Sequence, residues 1–115
     1  MTKVGEHITL DILGTKGEET PKFFEKLVYK IAKKSKVSVL EISQYKFKPQ
    51  GFTLVALLAE SHISFHTFPE KGIISFDFFT CGKINPIVAL DIVKKEIKHK
   101  RIVKKEFNRD TISHY

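Results

Sequence analysis

Two prolines, each preceded by a polar residue, divide the chain into strand-like and helix-like segments. Thr20-Pro21 and Asn85-Pro86 both predict a helix start, because a polar side chain can cap free backbone N–H groups and proline is tolerated at the first helical position. Apolar residues then recur with a 3.6-residue period: Phe23, Phe24, Leu27, Val28, Ile31 and Ala32 after the first start, and Ile87, Leu90, Val93 and Ile97 after the second. The pattern predicts two amphipathic helices, the first ending near Lys34.

Around these helices, apolar and polar residues alternate as they do in half-buried strands. The predicted strands cover residues 4–13, 37–47, 52–59, 63–68, 73–80 and 101–107, and residues 108–115 are expected to fray. The order is strand, helix, four strands, helix, strand. It predicts an α+β two-layer sandwich, in which a largely antiparallel sheet carries both helices on one face.

The other face of such a sheet has no covering layer within the chain. The predicted strand 52–59 is apolar on both of its faces, which is typical of a buried central strand. We therefore expect a partner or a ligand to cover the free face of the sheet.

Size and composition limit the class of protein. With 115 residues, of which 42% are apolar and 29% charged, the chain fits one domain covering residues 1–115. No apolar run approaches the ~20 residues of a membrane-spanning helix, and no export signal is evident, so we expect a cytoplasmic protein. The net charge of +7 would suit a nucleic-acid partner. Many of the basic residues, however, are spaced as on the solvated face of a helix and its following edge strand.

Polar residues that could carry chemistry are concentrated in the fourth and fifth predicted strands. His62 and His66 would lie ~13 Å apart in an extended strand, which disfavours a shared zinc ion. A Ser-His-acid hydrolase would need a G-x-S-x-G elbow, which is missing around Ser61 and Ser64. A nucleophilic pair of Cys81 and His66 remains open. So does a polar strand edge whose side chains only satisfy backbone groups.

Three motifs in this part of the chain are Glu60-Ser61-His62, His66-Thr67 with Pro69-Glu70, and Phe79-Thr80-Cys81-Gly82. In this combination and spacing they resemble the small prokaryotic S-adenosylmethionine decarboxylases, a self-cleaving, pyruvoyl-dependent family. Gly5, His7 and Asp11 match the family's opening pattern, and Gly51-Phe52-Thr53 lies where the family has Gly-x-Ser. The resemblance spans residues 5 to about 98.

The resemblance implies that the chain cleaves itself between Glu60 and Ser61, giving residues 1–60 and 61–115. Ser61 would attack the carbonyl group of Glu60 and end as the covalent pyruvoyl cofactor, which forms a Schiff base with the substrate and accepts electrons during decarboxylation. His66 matches the family's processing residue, and Thr53 replaces a serine that holds the carbonyl group being cleaved. Cys81 matches the proton donor of the turnover reaction.

The resemblance also implies the substrate. Phe47 matches an aromatic residue that stacks on adenine, and Glu70 matches a carboxylate that holds the ribose hydroxyls. Phe68 stands where the family usually has Trp and keeps an aromatic face for the sulfonium group. The implied substrate is S-adenosylmethionine, whose decarboxylated product is the aminopropyl donor for polyamine synthesis. The alternative is a pyruvoyl-dependent arginine or ornithine decarboxylase of the same fold.

The resemblance also implies a second copy of the chain as partner. The family forms homodimers of cleaved protomers, with residues from both protomers at each site. From the spacing of His62 and His66 we expect no metal. A basic nucleic-acid-binding module in which Ser61 stays intact is a remote alternative, because the chain lacks a Gly-aromatic RNA-binding signature.

Ser61, at the cleavage site, cannot share a strand face with His66. Ser61 and His66 are five residues apart, so in a regular strand their side chains face opposite sides of the sheet. We therefore expect a backbone kink at the cleavage site, where strain would favour the acyl shift.

Overall fold

The computed structural model describes residues 2–81 and 83–111. The elements in chain order are β1 (Thr2–Leu13), α1 (Pro21–Ser35), β2 (Val39–Lys46), β3 (Phe52–Leu58), β4 (Ser61–Phe68), a 3-10 helix (Pro69–Lys71), β5 (Ile73–Cys81), α2 (Val88–Glu96) and β6 (Arg101–Thr111). The strands form a sheet in the order β2-β3-β4-β5-β1-β6, and all neighbours in it are antiparallel.

Side-chain alternation places one face of this sheet against both helices. β5 alternates regularly, with Ile74, Phe76 and Phe78 at its buried positions. Both helices contribute buried side chains to the same core as these residues: Phe24, Leu27, Val28 and Ile31 from α1, and Ala89 and Val93 from α2. The predicted α+β sandwich, an antiparallel sheet with two helices on one face, is confirmed.

The prediction that the central apolar strand is buried on both faces is wrong for β3 within this chain. Its side chains at Leu54 and Ala56 are fully buried, whereas Val55 and Leu57 are 41% and 50% exposed. The reason is the two-residue period of a strand, which sends successive side chains to opposite faces while the helices cover only one of them. Apolar surface therefore remains open on the uncovered face.

α1 begins as the sequence predicts, whereas α2 begins later than predicted. The Thr20 hydroxyl accepts a hydrogen bond from Phe23 N at 3.2 Å, and Pro21 is the first residue of α1. Asn85 instead accepts a hydrogen bond from Ile87 N and closes a turn, so that α2 begins at Val88. The polar residue before the proline thus caps a turn before the helix.

The final strand is longer than expected. β6 continues through Thr111 because its backbone pairs with the start of β1, for example Arg109 with Gly5. The predicted frayed end is therefore wrong for residues 108–111, and residues 112–115 lie outside the described residues. No helix in residues 2–81 and 83–111 has both the length and the apolar character of a membrane span.

Candidate active site

The uncovered face of the sheet carries most of the residues for which the sequence predicts a chemical role. Strand pairing arranges them in rows across the sheet. Thr53, His66 and Ser75 are direct partners in one row, and Leu57, His62 and Phe79 form another row four residues away along β3 and β4. The rows place two groups of side chains at opposite ends of β4.

The first group lines a cavity of about 420 Å³ at the far end of β4. Five of the predicted site residues lie in its wall: Phe47, Thr53, His66, Phe68 and Glu70. Gln50, Phe52 and Thr67 complete the lining. We call this cavity the aromatic pocket, because it combines phenylalanine rings with a carboxylate and an imidazole.

Hydrogen bonds hold the walls of the aromatic pocket together. Thr53 Oγ1 lies 3.0 Å from Nδ1 of His66, directly across the β3–β4 ladder. Gln50 Nε2 donates to a carboxylate oxygen of Glu70 at 3.2 Å. The start of β3 is tied to β4 by Phe52 N, which donates to the Thr67 hydroxyl at 3.0 Å. These contacts fix the imidazole and restrain the carboxylate of the pocket.

The second group lies at the start of β4, where Ser61 is the first residue of the strand. Ser61 is 5% exposed, and its hydroxyl has no hydrogen-bond partner among the described residues. The preceding residue, Glu60, has a φ of 60°, a left-handed conformation that is strained for a side chain of this size. Both features fall on the bond at which the sequence predicts cleavage.

The kink expected at the cleavage site lies at Glu60, and β4 itself is regular. β4 pairs without interruption from Ser61, opposite Leu58, to His66, opposite Thr53. The backbone departs from regular geometry one residue earlier, at Glu60, because the β3–β4 connection is a tight turn. Ser61 and His66 therefore stay about 16 Å apart along one strand and face opposite sides of the sheet.

Cys81 ends β5 at the same end of the sheet as Ser61 and pairs with Gly5 of β1. His66 lies opposite Ser75, six residues before Cys81 and about 20 Å from it along the strand. The open possibility of a Cys81–His66 nucleophilic pair within one chain is therefore wrong. Gly82, the last residue of the third motif, lies outside the described residues.

A polar cluster between the two groups was missed by the sequence argument. Asp77 accepts a hydrogen bond from the Ser64 hydroxyl, and its other carboxylate oxygen lies 3.0 Å from His7 Nε2 and 3.7 Å from His62 Nε2. The His62 ring stacks on Phe79, with 5.7 Å between the ring centroids. The alternating polar residues of β4 and β5 could have indicated this cluster. The participation of His7 could not be predicted, because it depends on the register in which β1 pairs with β5.

The two histidines considered for zinc have different neighbours. His62 faces Asp77, whereas His66 bonds to Thr53. Among the residues that the structure describes, no three His, Cys, Asp or Glu side chains lie where they could hold a metal ion.

Together, the fold and these groups define an α+β sandwich protein with a ligand-sized pocket and acid-base groups on an open sheet face. The sequence model of the S-adenosylmethionine decarboxylase family matches residues 6–110, and the chain belongs to this family.

Relatives and a solved structure agree with this assignment. The chain is 37% identical over 112 residues to the S-adenosylmethionine decarboxylase proenzyme of Clostridium kluyveri, covering 95% of this chain and 89% of that protein. It is 34% identical over 99 residues to the proenzyme of a Geobacillus species, covering 84% and 80%. The crystal structure of the adenosylmethionine decarboxylase from Aquifex aeolicus superposes with a TM-score of 0.85 at 29% identity, covering 100% of this chain and 98% of that one.

Proposed function

We propose that the chain is a self-cleaving S-adenosylmethionine decarboxylase whose pyruvoyl cofactor is made from Ser61. The observation that carries the proposal is the left-handed Glu60 immediately before a buried serine hydroxyl that has no partner among the described residues. A hydroxyl with no competing hydrogen bond is free to attack the adjacent carbonyl carbon, and backbone strain at Glu60 is relieved when the bond that follows this residue breaks.

The cleavage reaction balances with groups of the chain and water. Ser61 Oγ adds to the carbonyl carbon of Glu60, and the amide C–N bond breaks to leave an ester and a free amine. A base then removes the α-proton of Ser61, and the ester leaves as the carboxylate of Glu60. Water replaces the nitrogen of the remaining dehydroalanine, releasing ammonia and leaving a pyruvoyl group at the start of residues 61–115. The imidazole of His66 from a second copy of the chain suits the base, because an imidazole nitrogen can both accept and return a proton, whereas His66 of the same chain lies about 16 Å away.

The residues around Ser61 fit a pyruvoyl group. Replacing the serine by pyruvoyl removes the one buried hydroxyl at this position that lacks a partner. The group supplies an electron sink for decarboxylation of an amino acid. Cys81, at the same end of the sheet, would then return a proton to the substrate carbon.

The separation of the two groups along β4 supports a homodimer. The Ser61 and Cys81 end lies about 16 Å from the aromatic pocket, so one chain does not bring the cleavage site and the pocket together. A second copy, packed face to face in the opposite direction, would bring the Ser61 end of each chain over the pocket of the other. Exposed Val55, Leu57 and Phe107 on this face would be buried by such a contact.

The aromatic pocket suits an adenosyl group that carries a cation. Phe47 is 51% exposed, and its ring packs against Tyr45 with 5.0 Å between centroids, an arrangement to which adenine could add a further stacked ring. Glu70 can accept hydrogen bonds from two ribose hydroxyls. The Phe68 ring already accepts a cation, because Lys71 Nζ lies 5.8 Å from its centroid. The names of the relatives also favour S-adenosylmethionine over arginine or ornithine.

Release of carbon dioxide from carboxyl-labelled substrates tests this function. The purified protein is incubated in parallel with S-adenosylmethionine, arginine and ornithine, and the Ser61→Ala variant serves as the control. We expect release from S-adenosylmethionine by the wild-type protein only. Release from arginine or ornithine alone would assign the enzyme to the alternative substrate class.

A further inference from the structure

Thr80, the residue before Cys81, is the most enclosed polar side chain near the Ser61 end of the sheet. It is 0% exposed, and its side chain lies on the core face of β5. Its hydroxyl donates to the Ile84 carbonyl at 2.7 Å, and the carbonyl oxygen of Glu6, its partner residue in β1, lies 3.5 Å from the same atom. The hydroxyl thus ties the end of β5 to the segment that follows it.

A second bond closes the same turn. Ile84 N donates to the carbonyl of Cys81 at 3.2 Å, so the Cys81 backbone lies inside a turn held by two hydrogen bonds. Without the Thr80 bond, the 3.2 Å bond between Ile84 N and the Cys81 carbonyl is the one hydrogen bond left between the described residues on either side of this turn. The position of Cys81 along β5 therefore depends on a hydroxyl that does not itself reach the open face.

Cys81 cannot move towards β1, because the two strands are already in close contact there. Gly5 is the Cys81 partner, and a Cβ atom at Gly5 would overlap the Thr80 carbonyl oxygen and lie 2.7 Å from the Phe79 ring. The strands approach so closely here that only a glycine fits. Loss of the turn would therefore let Cys81 move on its free side, away from β1.

We propose that Thr80 is a positioning residue that aims the Cys81 thiol, an inference that rests on the proposed role of Cys81 as proton donor. After carbon dioxide leaves, the proton can return to the substrate carbon or to the chain carbon derived from Ser61. Return to the chain carbon, followed by hydrolysis, leaves the substrate nitrogen on an N-terminal alanine and releases the rest of the substrate as an aldehyde whose oxygen comes from water. The two carbons flank one nitrogen atom, so a small displacement of the thiol changes the outcome.

The test compares Thr80→Val, which keeps the shape and removes the hydroxyl, with Thr80→Ser, which keeps the hydroxyl. Thr15→Val is the matched control, because Thr15 is also buried and its hydroxyl finds no hydrogen-bond partner among the described residues. Thermal unfolding establishes that each variant folds. Should Thr80→Val not fold, Thr80→Ala replaces it in the same comparison.

The first measurement needs no turnover. Cys81 is the only cysteine of the chain, so iodoacetamide labelling of the uncleaved Ser61→Ala background reports on this thiol alone. We expect Thr80→Val to raise the alkylation rate by about two- to tenfold, the effect of one lost hydrogen bond on the opening of the turn. Thr80→Ser and Thr15→Val should stay at the background rate.

The second measurement uses the cleaved enzyme. Mass spectrometry of residues 61–115 after turnover gives the fraction that begins with alanine instead of pyruvoyl. We expect Thr80→Val to raise this fraction per turnover by about two- to tenfold, with rescue in Thr80→Ser. Wild-type values in Thr80→Val for both alkylation and alanine formation would overturn the proposal. A wild-type chain that neither cleaves nor releases carbon dioxide would instead contradict the proposed function.

Discussion

Thr53 and His66 face each other across β3 and β4, with the threonine hydroxyl 3.0 Å from Nδ1 of the imidazole. The contact fixes the orientation of the ring on the open face of the sheet. In the tautomer that donates from Nδ1, Nε2 carries the lone pair and can accept a proton. Thr53 is thus placed to orient the proposed processing base, a contact that the sequence comparison alone did not reveal.

Removal of this bond should slow self-cleavage. Thr53→Val keeps the shape of the side chain and loses the hydroxyl, so we expect cleavage to slow by about tenfold, or about 1.4 kcal/mol. A time course on denaturing gels measures the rate. Thr53→Ser should restore it, and wild-type cleavage by Thr53→Val would show that the bond does not serve processing.

His66 and Cys81 should separate cleavage from turnover. His66→Ala removes the proposed base, so the uncleaved chain or its ester should accumulate. Cys81→Ala should still cleave, at least slowly, and lose most of its carbon dioxide release. Gel analysis and labelled carbon dioxide measure the two steps on the same samples. Equal and complete loss of cleavage in both variants would reject this division of roles.

The Glu70 carboxylate should bind the adenosyl part of the substrate. Glu70→Gln should weaken binding by about 1.5 to 3 kcal/mol through loss of charge-assisted hydrogen bonds, while cleavage continues. Inhibition by methylthioadenosine, which carries the adenosine without an α-amino acid, measures this change. Asp91→Asn, an exposed substitution on α2, is the charge-matched control. If methylthioadenosine inhibits Glu70→Gln and the control equally, Glu70 does not bind the adenosyl group.

Two impaired variants should complement each other if each site uses two chains. In a heterodimer of Cys81→Ala and Glu70→Ala, one site carries both changes and the other carries neither. Random pairing makes half of the dimers mixed, so co-expression should restore about a quarter of wild-type activity. Activity no higher than the mean of the separate variants would place Cys81 and Glu70 in one chain's site.

A helix contact gives a prediction for stability. Lys30 Nζ donates to Glu96 Oε1 at 2.9 Å, and this hydrogen bond lowers the pKa of the Glu96 carboxyl below its ordinary value. Because the folded pKa is the lower one, the stabilisation is present above the unfolded pKa and is lost as pH falls through the folded pKa. Lys30→Met should therefore reduce stability at neutral pH and lose this effect in acid.

Urea unfolding across a pH series measures the Lys30 effect. Lys26→Met removes the same charge from an exposed position of the same helix and is the control. An equal loss of stability in Lys30→Met at neutral and acidic pH would contradict the role of the Glu96 contact. The effect should be small, because the pair is on the surface.

Local chemistry predicted much of the fold. The Thr20 cap and Pro21 fixed the start of α1, since both act within one helical turn. The start of α2 was less accurate, because Asn85 bonds to Ile87 and stabilises a turn as readily as a helix. Backbone pairing between β1 and residues 108–111 has no side-chain signature, which explains why the end of β6 was missed.

The candidate site was predictable only in part. Five residues of the aromatic pocket were identified by resemblance, but their separation from Ser61 follows from the unbroken register of β4. The His7 contact with Asp77 joins residues 70 positions apart and depends on the pairing of β1 with β5. The sequence alone cannot fix such a register, because several alignments of these strands keep the apolar residues on the core face.

Intact mass under denaturing conditions tests the central claim most directly. The wild-type protein should give two fragments, residues 1–60 and residues 61–115, the second blocked to Edman sequencing by its pyruvoyl group. Ser61→Ala should remain one folded chain of full mass, because one hydroxyl at the turn contributes little to the core. A wild-type chain that stays intact after prolonged incubation would contradict the account, as would cleavage of Ser61→Ala at the same bond.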